Sequence, residues 1–403
     1  MRAKSGFRKH RLILIAILLI IIYVCWCLIR PLPAIKPIIR DLNLDQSTSS
    51  QLNWPKAEQA SISFLGSNYE ESKGEQKPAP IASIAKVITA LVVLEKKPLQ
   101  PGEQGPVITL SAADEELYKK YKSNDGSVVP TVAGEKITQY QVLQAMMLPS
   151  SNNLSDSLAI WAFGSIANYN AAANDYLKRN GMANSIVGGD ASGLNPATKS
   201  TSQDLIKLGK LAMQHPVLSQ IVGQSSATGI PLTTTVKNVN YLLGSNGVVG
   251  IKTGNSDEAG GAFLSASVIA PNGKPLTIIT AVEEADNLYA ALQGSLGLIK
   301  SVQTSFQPVM IVKKGQVVGE YSIPWGGKTQ AVAVNNLNIV SCNKIKPQYQ
   351  INLGTISAGS AANSTAGEIK VNKSFQSNEK QVAAILNSSV SRPSVKWRLT
   401  HPF

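Results

Sequence analysis

Cysteine and histidine are scarce in this chain of 403 residues, with three of each. Two cysteines, Cys25 and Cys27, lie in an apolar N-terminal run, so a disulfide framework is excluded. His10, His215 and His401 are far apart in sequence and lie in no recognisable motif, and Gly-x-Ser-x-Gly does not occur. The sequence therefore has too few histidines to favour a zinc site of several histidines or a Ser-His-Asp relay, and we expect neither a metal nor a cofactor.

Acidic residues are few at the two ends of the chain. Residues 1–30 carry six basic and no acidic side chains, and residues 308–403 carry eleven basic and three acidic ones. The formal net charge of the chain is +13, and residues 31–307 are nearly neutral, at about −1. The C-terminal excess fits either solubility or attraction to an anionic surface, such as phospholipid or wall polymer.

An uncharged apolar run, Leu12–Ile29, is long enough to cross most of a bilayer. Basic residues precede it, which places residues 1–11 in the cytoplasm and the chain after Arg30 outside. The alternative is a cleaved signal peptide, but Tyr23, Trp26 and the absence of a small-x-small site favour an anchor. We therefore expect a single-pass cell-membrane protein with a transmembrane anchor at 12–29, and no nucleic-acid partner.

Three further regions follow the anchor. Residues 30–54 are predicted to be a linker, 55–307 an α/β domain, and 308–403 a small basic β-rich domain. In the second region, a strand is followed by many helices, three strands and a last helix, which predicts an antiparallel sheet whose first strand comes from far away in the chain. The predicted strands are Ala60–Leu65, 248–254, Ala262–Ala270 and Leu276–Val282, and the predicted helices are Ala112–Tyr121, Thr138–Met147, Leu154–Phe163, Asn168–Lys178, Thr201–Met213 and Ala285–Val302.

The sequence pattern of the last region is typical of β-strands. We predict a hairpin about Lys314-Gly315 and strands at Thr329–Val334 and Val395–Leu399.

The segment Pro78–Glu95 contains Ser83 and Lys86 at the start of a nearly all-apolar helix. Residues three apart lie on one helical face, so this pair is a candidate nucleophile and base. Ser-x-x-Lys is a common spacing, and it recurs at Ser341…Lys344 and Ser377…Lys380. By itself the pair also fits a helix cap beside a surface lysine.

Two more triplets stand out. Ser151-Asn152-Asn153 precedes a predicted helix, where a serine by default caps the helix or forms a turn. Lys252-Thr253-Gly254 ends a predicted strand, and a chance Lys-Thr-Gly is expected in only about one chain in ten of this length.

The three motifs occur in the order Ser-x-x-Lys, Ser-x-Asn, Lys-Thr-Gly, and the chain resembles the D-alanyl-D-alanine carboxypeptidases among the low-molecular-mass penicillin-binding proteins. The flanks share the resemblance over about residues 55–305: MLPSSNNLSDSLA, DASGLNPATKSTSQDL and GVVGIKTGNSDEAGGAF. The resemblance implies a β-lactamase-like sheet flanked by helices, with a helical subdomain and a small C-terminal β domain. Asp190 and Asp204 fit turn and capping roles.

The resemblance also implies roles for individual residues. Ser83 would form an acyl-enzyme, with Lys86 as base and Ser151 relaying the proton to the leaving D-Ala amine. Asn153 would bind the substrate amide and also hold Lys86. Lys252 and Thr253 would bind the substrate carboxylate, and Gly254 would let substrate approach the strand edge. The backbone N–H of Asn255 would join that of Ser83 in the oxyanion hole.

The implied substrate is a peptidoglycan stem peptide ending in D-Ala-D-Ala, with β-lactam antibiotics as covalent inhibitors. D,D-Endopeptidase, transpeptidase, β-lactamase and a non-catalytic wall sensor are the alternatives. The chain departs from the family in having no arginine between Asn255 and Ile299 to bind the carboxylate. The stretch Gly188–Thr201 lacks the glutamate of many β-lactamases, which disfavours that activity.

Overall fold

The computed structural model describes residues 4–44, 51–231, 233–342, 347–371 and 380–402. Lys344 and Ser377 of the recurring Ser-x-x-Lys spacings, and residues 45–50 of the predicted linker, lie outside the described residues. The helices are α1 Lys4–Ile29, α2 Ala85–Lys96, α3 Ala112–Ser123, α4 Gln139–Met147, α5 Asn152–Phe163, α6 Ile166–Arg179, α7 Ser202–Gln214, α8 Pro216–Val222, α9 Leu288–Gln303 and α10 Val395–Thr400. The strands are β1 Pro37–Ile39, β2 Ala57–Phe64, β3 Glu70–Gly74, β4 Ala79–Pro80, β5 Val107–Thr109, β6 Lys136–Thr138, β7 Lys199–Ser200, β8 Ser226–Ile230, β9 Thr233–Lys237, β10 Val248–Ser256, β11 Gly260–Ile269, β12 Leu276–Ala285, β13 Phe306–Val312, β14 Val317–Ser322, β15 Lys328–Ala333, β16 Leu337–Cys342, β17 Tyr349–Leu353, β18 Thr365–Val371 and β19 Lys380–Leu386.

The described residues from 51 to 306 form one compact unit built on a five-stranded antiparallel sheet. Its strand order is β10-β11-β12-β2-β3, and β2 pairs with β12 so that Ser61 lies opposite Ala281. The first strand does come from far away in the chain, and the predicted α/β class is confirmed. β10 lies at one edge of the sheet.

Helices cover both faces of this sheet. On one face, a Cβ added to Gly209 of α7 would lie 2.7 Å from Ile279, so helix and strand pack in direct contact. On the other face, Ser295 of α9 hydrogen-bonds to Thr280 at 2.6 Å and to Ser265 at 3.1 Å. These buried hydroxyls satisfy one another, which fixes α9 on the sheet without leaving a polar atom unpaired.

The α2 helix runs through the centre of the hydrophobic core, and its residues 85–94 are all buried. The proline-containing strand β4 precedes it and pairs with β7. Ser83 lies on a single 3-10 turn, Ala82–Ile84, that leads into the helix. The nucleophile candidate is therefore fixed by a helix that is anchored on all sides.

A second unit contains residues 4–44, 307–341 and the described residues after 346. Its main sheet has the order β1-β14-β15-β19-β18-β17, and β13 pairs separately with β16. The predicted strand at Thr329–Val334 corresponds to β15. The basic C-terminal region is thus a β domain that also includes residues preceding the first unit in the chain.

Three predictions for this unit are wrong. Residues 37–39 of the predicted linker form β1, which pairs with β14 and completes the edge of the sheet. The hairpin about Lys314-Gly315 does not form, since its two strands take different partners, β16 and β15. Val395–Leu399 is helical, because the Ser394 hydroxyl accepts from the Trp397 N–H and so caps α10.

The α1 helix is long and apolar enough to cross a membrane. From Lys9 to Ile29 its mean hydropathy is 3.3 over the most apolar window, and nearly all of its side chains are exposed.

Candidate active site

The turn that carries Ser83 is held against the edge strand β10. A Cβ on Gly254 would lie 2.7 Å from the Ile81 carbonyl oxygen, so only glycine permits this approach without displacement. The structure gives an additional reason for the glycine, and the approach of substrate to the strand edge at Gly254 stays a prediction. Ala82, immediately before Ser83, has φ +44°, an unusual value for a residue with a side chain.

Lys86 is fully buried, and its side-chain nitrogen lies close to three oxygen atoms. Its Nζ lies 2.8 Å from Ser83 Oγ, 2.7 Å from Asn152 Oδ1 and 3.0 Å from the Ser192 carbonyl oxygen. The last two contacts position the amine, and the first brings it within proton-transfer distance of the Ser83 hydroxyl.

Burial lowers the pKa of Lys86 well below its usual value, and the nearby Lys252 charge lowers it further. The charges of Asp190 and Asp156 act in the opposite direction and are outweighed. Burial also lowers the pKa of Lys252 to about 7. A neutral Lys86 is what a general base for a serine hydroxyl requires.

The predicted contact between Asn153 and Lys86 is wrong. Asn153 Nδ2 donates to the Val129 carbonyl at 3.0 Å and to Thr131 Oγ1 at 2.9 Å, and its Oδ1 accepts from Ser151 Oγ at 2.6 Å. Asn152 occupies the expected position beside the lysine instead.

Ser151 is the N-cap of α5, and its hydroxyl accepts from the Leu154 N–H. It is fully buried, and its contacts with Val129 and Asn153 tie the helix start to a neighbouring segment. Helix capping, the alternative reading of this triplet, therefore describes Ser151.

The sequence Ser150-Ser151-Asn152-Asn153 contains two overlapping copies of Ser-x-Asn, and the structure separates them. Ser150 has φ +66°, and its hydroxyl has no hydrogen-bond partner within the described parts of the chain. Such a strained serine next to a functional pair is typical of a catalytic site. Composition cannot choose between the two copies, but the N-cap signature before Asn152-Asn153-Leu154 was a usable signal.

Ser192, which sequence reasoning missed, is placed by Asp190. Asp190 Oδ1 accepts from the Ser192 N–H at 2.8 Å and the Gly193 N–H at 2.6 Å, and its Oδ2 accepts from the Asn195 N–H at 2.8 Å. The predicted turn role of Asp190 is confirmed, and the turn presents the Ser192 carbonyl to Lys86. Asp204 likewise accepts from the Asn184 N–H and pairs with Lys207 in the first turn of α7.

Lys252, Thr253 and Asn255 lie along β10. Lys252 is buried, with its Nζ 3.2 Å from the Thr253 carbonyl oxygen, whereas Asn255 is exposed near the end of the strand. An edge strand has unpaired backbone groups on one side and can bind an extended peptide there. Within the described residues, no three His, Cys, Asp or Glu side chains are close enough together to hold a metal ion.

The fold is that shared by β-lactamases and penicillin-binding proteins. A penicillin binding protein 5 from Haemophilus influenzae has a TM-score of 0.58 at 16% identity, covering 86% of this chain and 100% of that chain. A peptidoglycan synthesis regulatory factor (PBP3) from Streptococcus pneumoniae has a TM-score of 0.58 at 19% identity, covering 83% and 99%. At these identities the likeness concerns the fold.

The D-alanyl-D-alanine carboxypeptidase family profile matches residues 69–286, and the chain belongs to this family of serine peptidases. A D-alanyl-D-alanine carboxypeptidase from Streptomyces sp. (strain K15) is 28% identical over 221 residues, which is 48% of this chain and 73% of that protein. A D-alanyl-D-alanine endopeptidase from Escherichia coli (strain K12) is 28% identical over 208 residues, which is 50% of this chain and 62% of that protein.

Proposed function

We propose that the chain is a membrane-anchored serine D-Ala-D-Ala carboxypeptidase that removes the terminal D-alanine of peptidoglycan stem peptides. The observation that carries this proposal is the 2.8 Å contact between Ser83 Oγ and the buried Lys86 Nζ. Family membership supports the substrate class.

In the first step, Ser83 Oγ attacks the carbonyl carbon of the penultimate D-Ala while neutral Lys86 takes the hydroxyl proton. The developing oxyanion accepts hydrogen bonds from the backbone N–H groups of Ser83 and Asn255. The peptide C–N bond then breaks, the amine of the terminal D-Ala takes a proton, and Ser83 is left as an ester.

Ser150 is the hydroxyl that passes the proton to the departing amine. It replaces Ser151 in this role, because the Ser151 hydroxyl caps α5 and bonds to Asn153. Asn152, whose Oδ1 lies 2.7 Å from Lys86 Nζ, is only two residues from Ser150, so the Cα atoms of these two residues are within about 7 Å of each other. Water later attacks the ester, with Lys86 again as base, and releases the shortened peptide.

Lys252 and Thr253 bind the carboxylate of the terminal D-Ala. A carboxylate beside the buried Lys252 favours the charged ammonium, so substrate binding supplies the counter-charge that the free site lacks. This pairing serves in place of the arginine that is missing between Asn255 and Ile299.

β-Lactam antibiotics acylate the same serine. Their ring carbonyl takes the place of the penultimate D-Ala carbonyl, and their carboxylate takes the place of the terminal one. Labelled penicillin therefore reports formation of the Ser83 ester independently of any peptide substrate.

D,D-Endopeptidase activity is the second candidate, because curated relatives with that name match at 28% and 27% identity. Both activities share the acyl-enzyme and differ in the leaving group. Release of free D-Ala from a pentapeptide supports the first activity, and cleavage of a cross-linked dimer without D-Ala release supports the second.

The α1 helix anchors the protein as a single-pass segment, with its basic N-terminus in the cytoplasm and the chain after Arg30 outside. The length and hydropathy of the helix support this topology. Intact-mass measurement of the native protein tests it, since cleavage near residue 30 would identify a signal peptide instead.

A further inference from the structure

A buried acid on α5 has no part in the mechanism described so far. Asp156 lies in the second turn of this helix and is only 3% exposed. The Tyr121 hydroxyl donates to Asp156 Oδ2 at 2.6 Å, and the Ala191 N–H donates to Oδ1 at 2.8 Å. Burial of a carboxylate is costly even when it is hydrogen-bonded, and a well-packed apolar side chain often stabilises a core at least as well. Stability alone therefore does not explain an acid at this position.

The contact with Ala191 connects this acid to the loop that holds Lys86. Ser192 follows Ala191, and its carbonyl oxygen lies 3.0 Å from Lys86 Nζ. The Ala191 carbonyl accepts from Thr89 Oγ1 at 2.6 Å, and the Ser192 N–H donates to Asp190 Oδ1 at 2.8 Å. All four backbone polar groups of these two residues thus have a partner, which fixes the direction of the Ser192 carbonyl.

The same helix supplies another oxygen atom beside Lys86. Asn152 is four residues before Asp156, so both side chains lie on one face of α5. Asn152 Oδ1 lies 2.7 Å from Lys86 Nζ. Asp156 therefore ties α5 to the loop, and these are the two elements whose oxygen atoms contact the amine. Without the tie, the loop could move away from α5, and the amine would lose its fixed position beside Ser83 Oγ.

The charge of Asp156 also acts on the base. Burial and the Lys252 charge lower the pKa of Lys86, whereas the charges of Asp190 and Asp156 raise it. Burial raises the pKa of Asp156 itself, and the hydrogen bonds from its two donors lower that pKa. Its other charged or titratable neighbours are Asp190 in the loop, Lys120 on α3 and Tyr169 on α6. Removal of the Asp156 charge should therefore lower the pKa of Lys86.

We propose that Asp156 is a positioning residue for the base Lys86. It holds the Ala191-Ser192 backbone against α5, so that the Ser192 and Asn152 oxygen atoms keep the amine beside Ser83. Asp156 acts through Lys86 and contributes no atom to the reaction. This inference rests on the proposed function, because it assigns a residue to the same acylation step.

The rate constant of penicillin acylation, measured on full-length protein together with the final labelled fraction, tests the proposal. Asp156→Leu is made in a Tyr121→Phe background, so that no tyrosine hydroxyl is left unpaired. Relative to Tyr121→Phe alone, we expect the rate constant to fall by about 10- to 100-fold, because the base is displaced. Asp156→Asn should stay within about threefold of wild type at the optimum pH, because its amide oxygen can still accept from the Ala191 N–H.

Asn174→Ala is the matched control. Asn174 on α6 bonds to the Val187 carbonyl at 2.8 Å and to the Val187 N–H at 2.9 Å, just before the same loop. Its loss should lower the unfolding temperature and leave the acylation rate constant unchanged. Equal rate constants in Asn174→Ala and the Asp156→Leu variant would overturn the proposal.

The pH profile of acylation separates positioning of the base from stabilisation of the fold. In both Asp156 variants the acid limb should move to lower pH, by about 0.5 unit or more, because Lys86 loses a neighbouring negative charge. A residue that only stabilises the fold would leave this limb in place, so an unchanged limb would overturn the proposal. If the Leu variant does not fold, the acid limb of Asp156→Asn decides alone.

Wild-type protein distinguishes the two possible failures. A wild type that forms no adduct at Ser83 contradicts the proposed function, and this inference with it. An adduct that forms in the wild type, and at the same rate and with the same acid limb in every variant, contradicts only the role of Asp156.

Discussion

Ser150 and Ser151 are neighbours in the chain, and the structure gives them different surroundings. Ser151 is buried as a helix cap, while Ser150 has a strained backbone and a hydroxyl without a described partner. Asn152 and Asn153 differ in the same way, since only Asn152 contacts Lys86. At the scale of single residues, a shift of one position therefore decides which side chains the proposed mechanism uses.

Paired alanine substitutions test that register. Ser150→Ala should slow D-Ala release by about 10²- to 10⁴-fold, because it removes a proton relay. Ser151→Ala should mainly cost about 1 kcal/mol of stability through the lost cap. Steady-state D-Ala release and thermal unfolding, measured on both variants, distinguish them, and the opposite ranking in activity would restore Ser151 to the relay.

The two buried lysines predict a bell-shaped pH dependence of kcat/KM. Lys86 must be neutral, so the rate falls at low pH as it gains a proton, and its lowered pKa moves this limb to lower pH. Lys252 must be charged to bind the carboxylate, so the rate falls as pH rises above about 7. Lys252→Arg should move the alkaline limb upward, because a guanidinium does not lose its proton in this range.

A pH profile with the same alkaline limb in wild type and Lys252→Arg would contradict this assignment. Lys86→Arg is the companion variant, and it should abolish penicillin acylation because it cannot provide a neutral base.

At the scale of elements, the site depends on close contact between the Ser83 turn, β10 and the loop of residues 188–201. Gly254 allows the strand to approach Ile81, and Gly193, at φ +77°, allows the loop to approach Ala82. Lys86 reaches the Ser192 carbonyl only because this loop lies against the turn.

Gly254→Ala should displace the Ser83 turn, because the added Cβ would lie 2.7 Å from a backbone oxygen. We expect a stability loss of about 1–3 kcal/mol from overpacking and a clear drop in the rate of penicillin labelling. Gly354→Ala, in the second unit, is the control. Its added Cβ would lie 3.8 Å from the nearest atom, the Ala366 carbonyl oxygen, which is ordinary van der Waals contact. Equal labelling rates in the two variants would contradict the proposed packing role.

Strand β12 carries an unusual buried acid, Glu283, opposite Gln59. Neither carboxyl oxygen has a hydrogen-bond partner among the described residues, and burial raises the pKa of this group well above its usual value. Above pH 4.5 the unfolded chain releases the proton that the folded chain retains, so stability falls by about 1.4 kcal/mol per pH unit until the folded-state pKa is reached.

Glu283→Gln should therefore raise the unfolding temperature at pH 7 and have little effect near pH 4. Thermal unfolding followed by loss of penicillin labelling measures this, with the exposed Glu58→Gln on β2 as control. An equal shift at both pH values would show that the effect does not arise from ionisation.

The sequence was a good guide to elements with strong periodicity or clear caps. The strands β10 to β12 and the helices of the catalytic unit other than α8 could be predicted because apolar spacing, Thr201 and the turn at 271–273 mark them. The pairing of β13 with β16, and of β14 with β1 and β15, could not be predicted, because pairing between strands far apart in the chain leaves no local sequence pattern. The contact between Lys86 and Ser192 depends on such tertiary packing as well.

At the scale of the whole molecule, the chain combines a peptidase unit with a unit that includes the apolar helix and the β domain. Residues 37–39 complete the sheet of this second unit, so the segment after α1 is structured and does not serve as a free spacer. We expect deletion of residues 31–44 to destabilise the β domain while penicillin labelling persists. Limited proteolysis tests this, and unchanged protection of residues 317–342 would contradict it.

The central claim is that Ser83 forms the acyl-enzyme with Lys86 as its base. Its most direct test is mass spectrometry of the full-length protein after incubation with penicillin, combined with measurement of D-Ala release from a peptide ending in D-Ala-D-Ala. We predict a covalent adduct on the tryptic peptide 74–86, release of D-Ala, and loss of both in Ser83→Ala. An adduct elsewhere, or D-Ala release that persists in Ser83→Ala, would contradict the proposed mechanism.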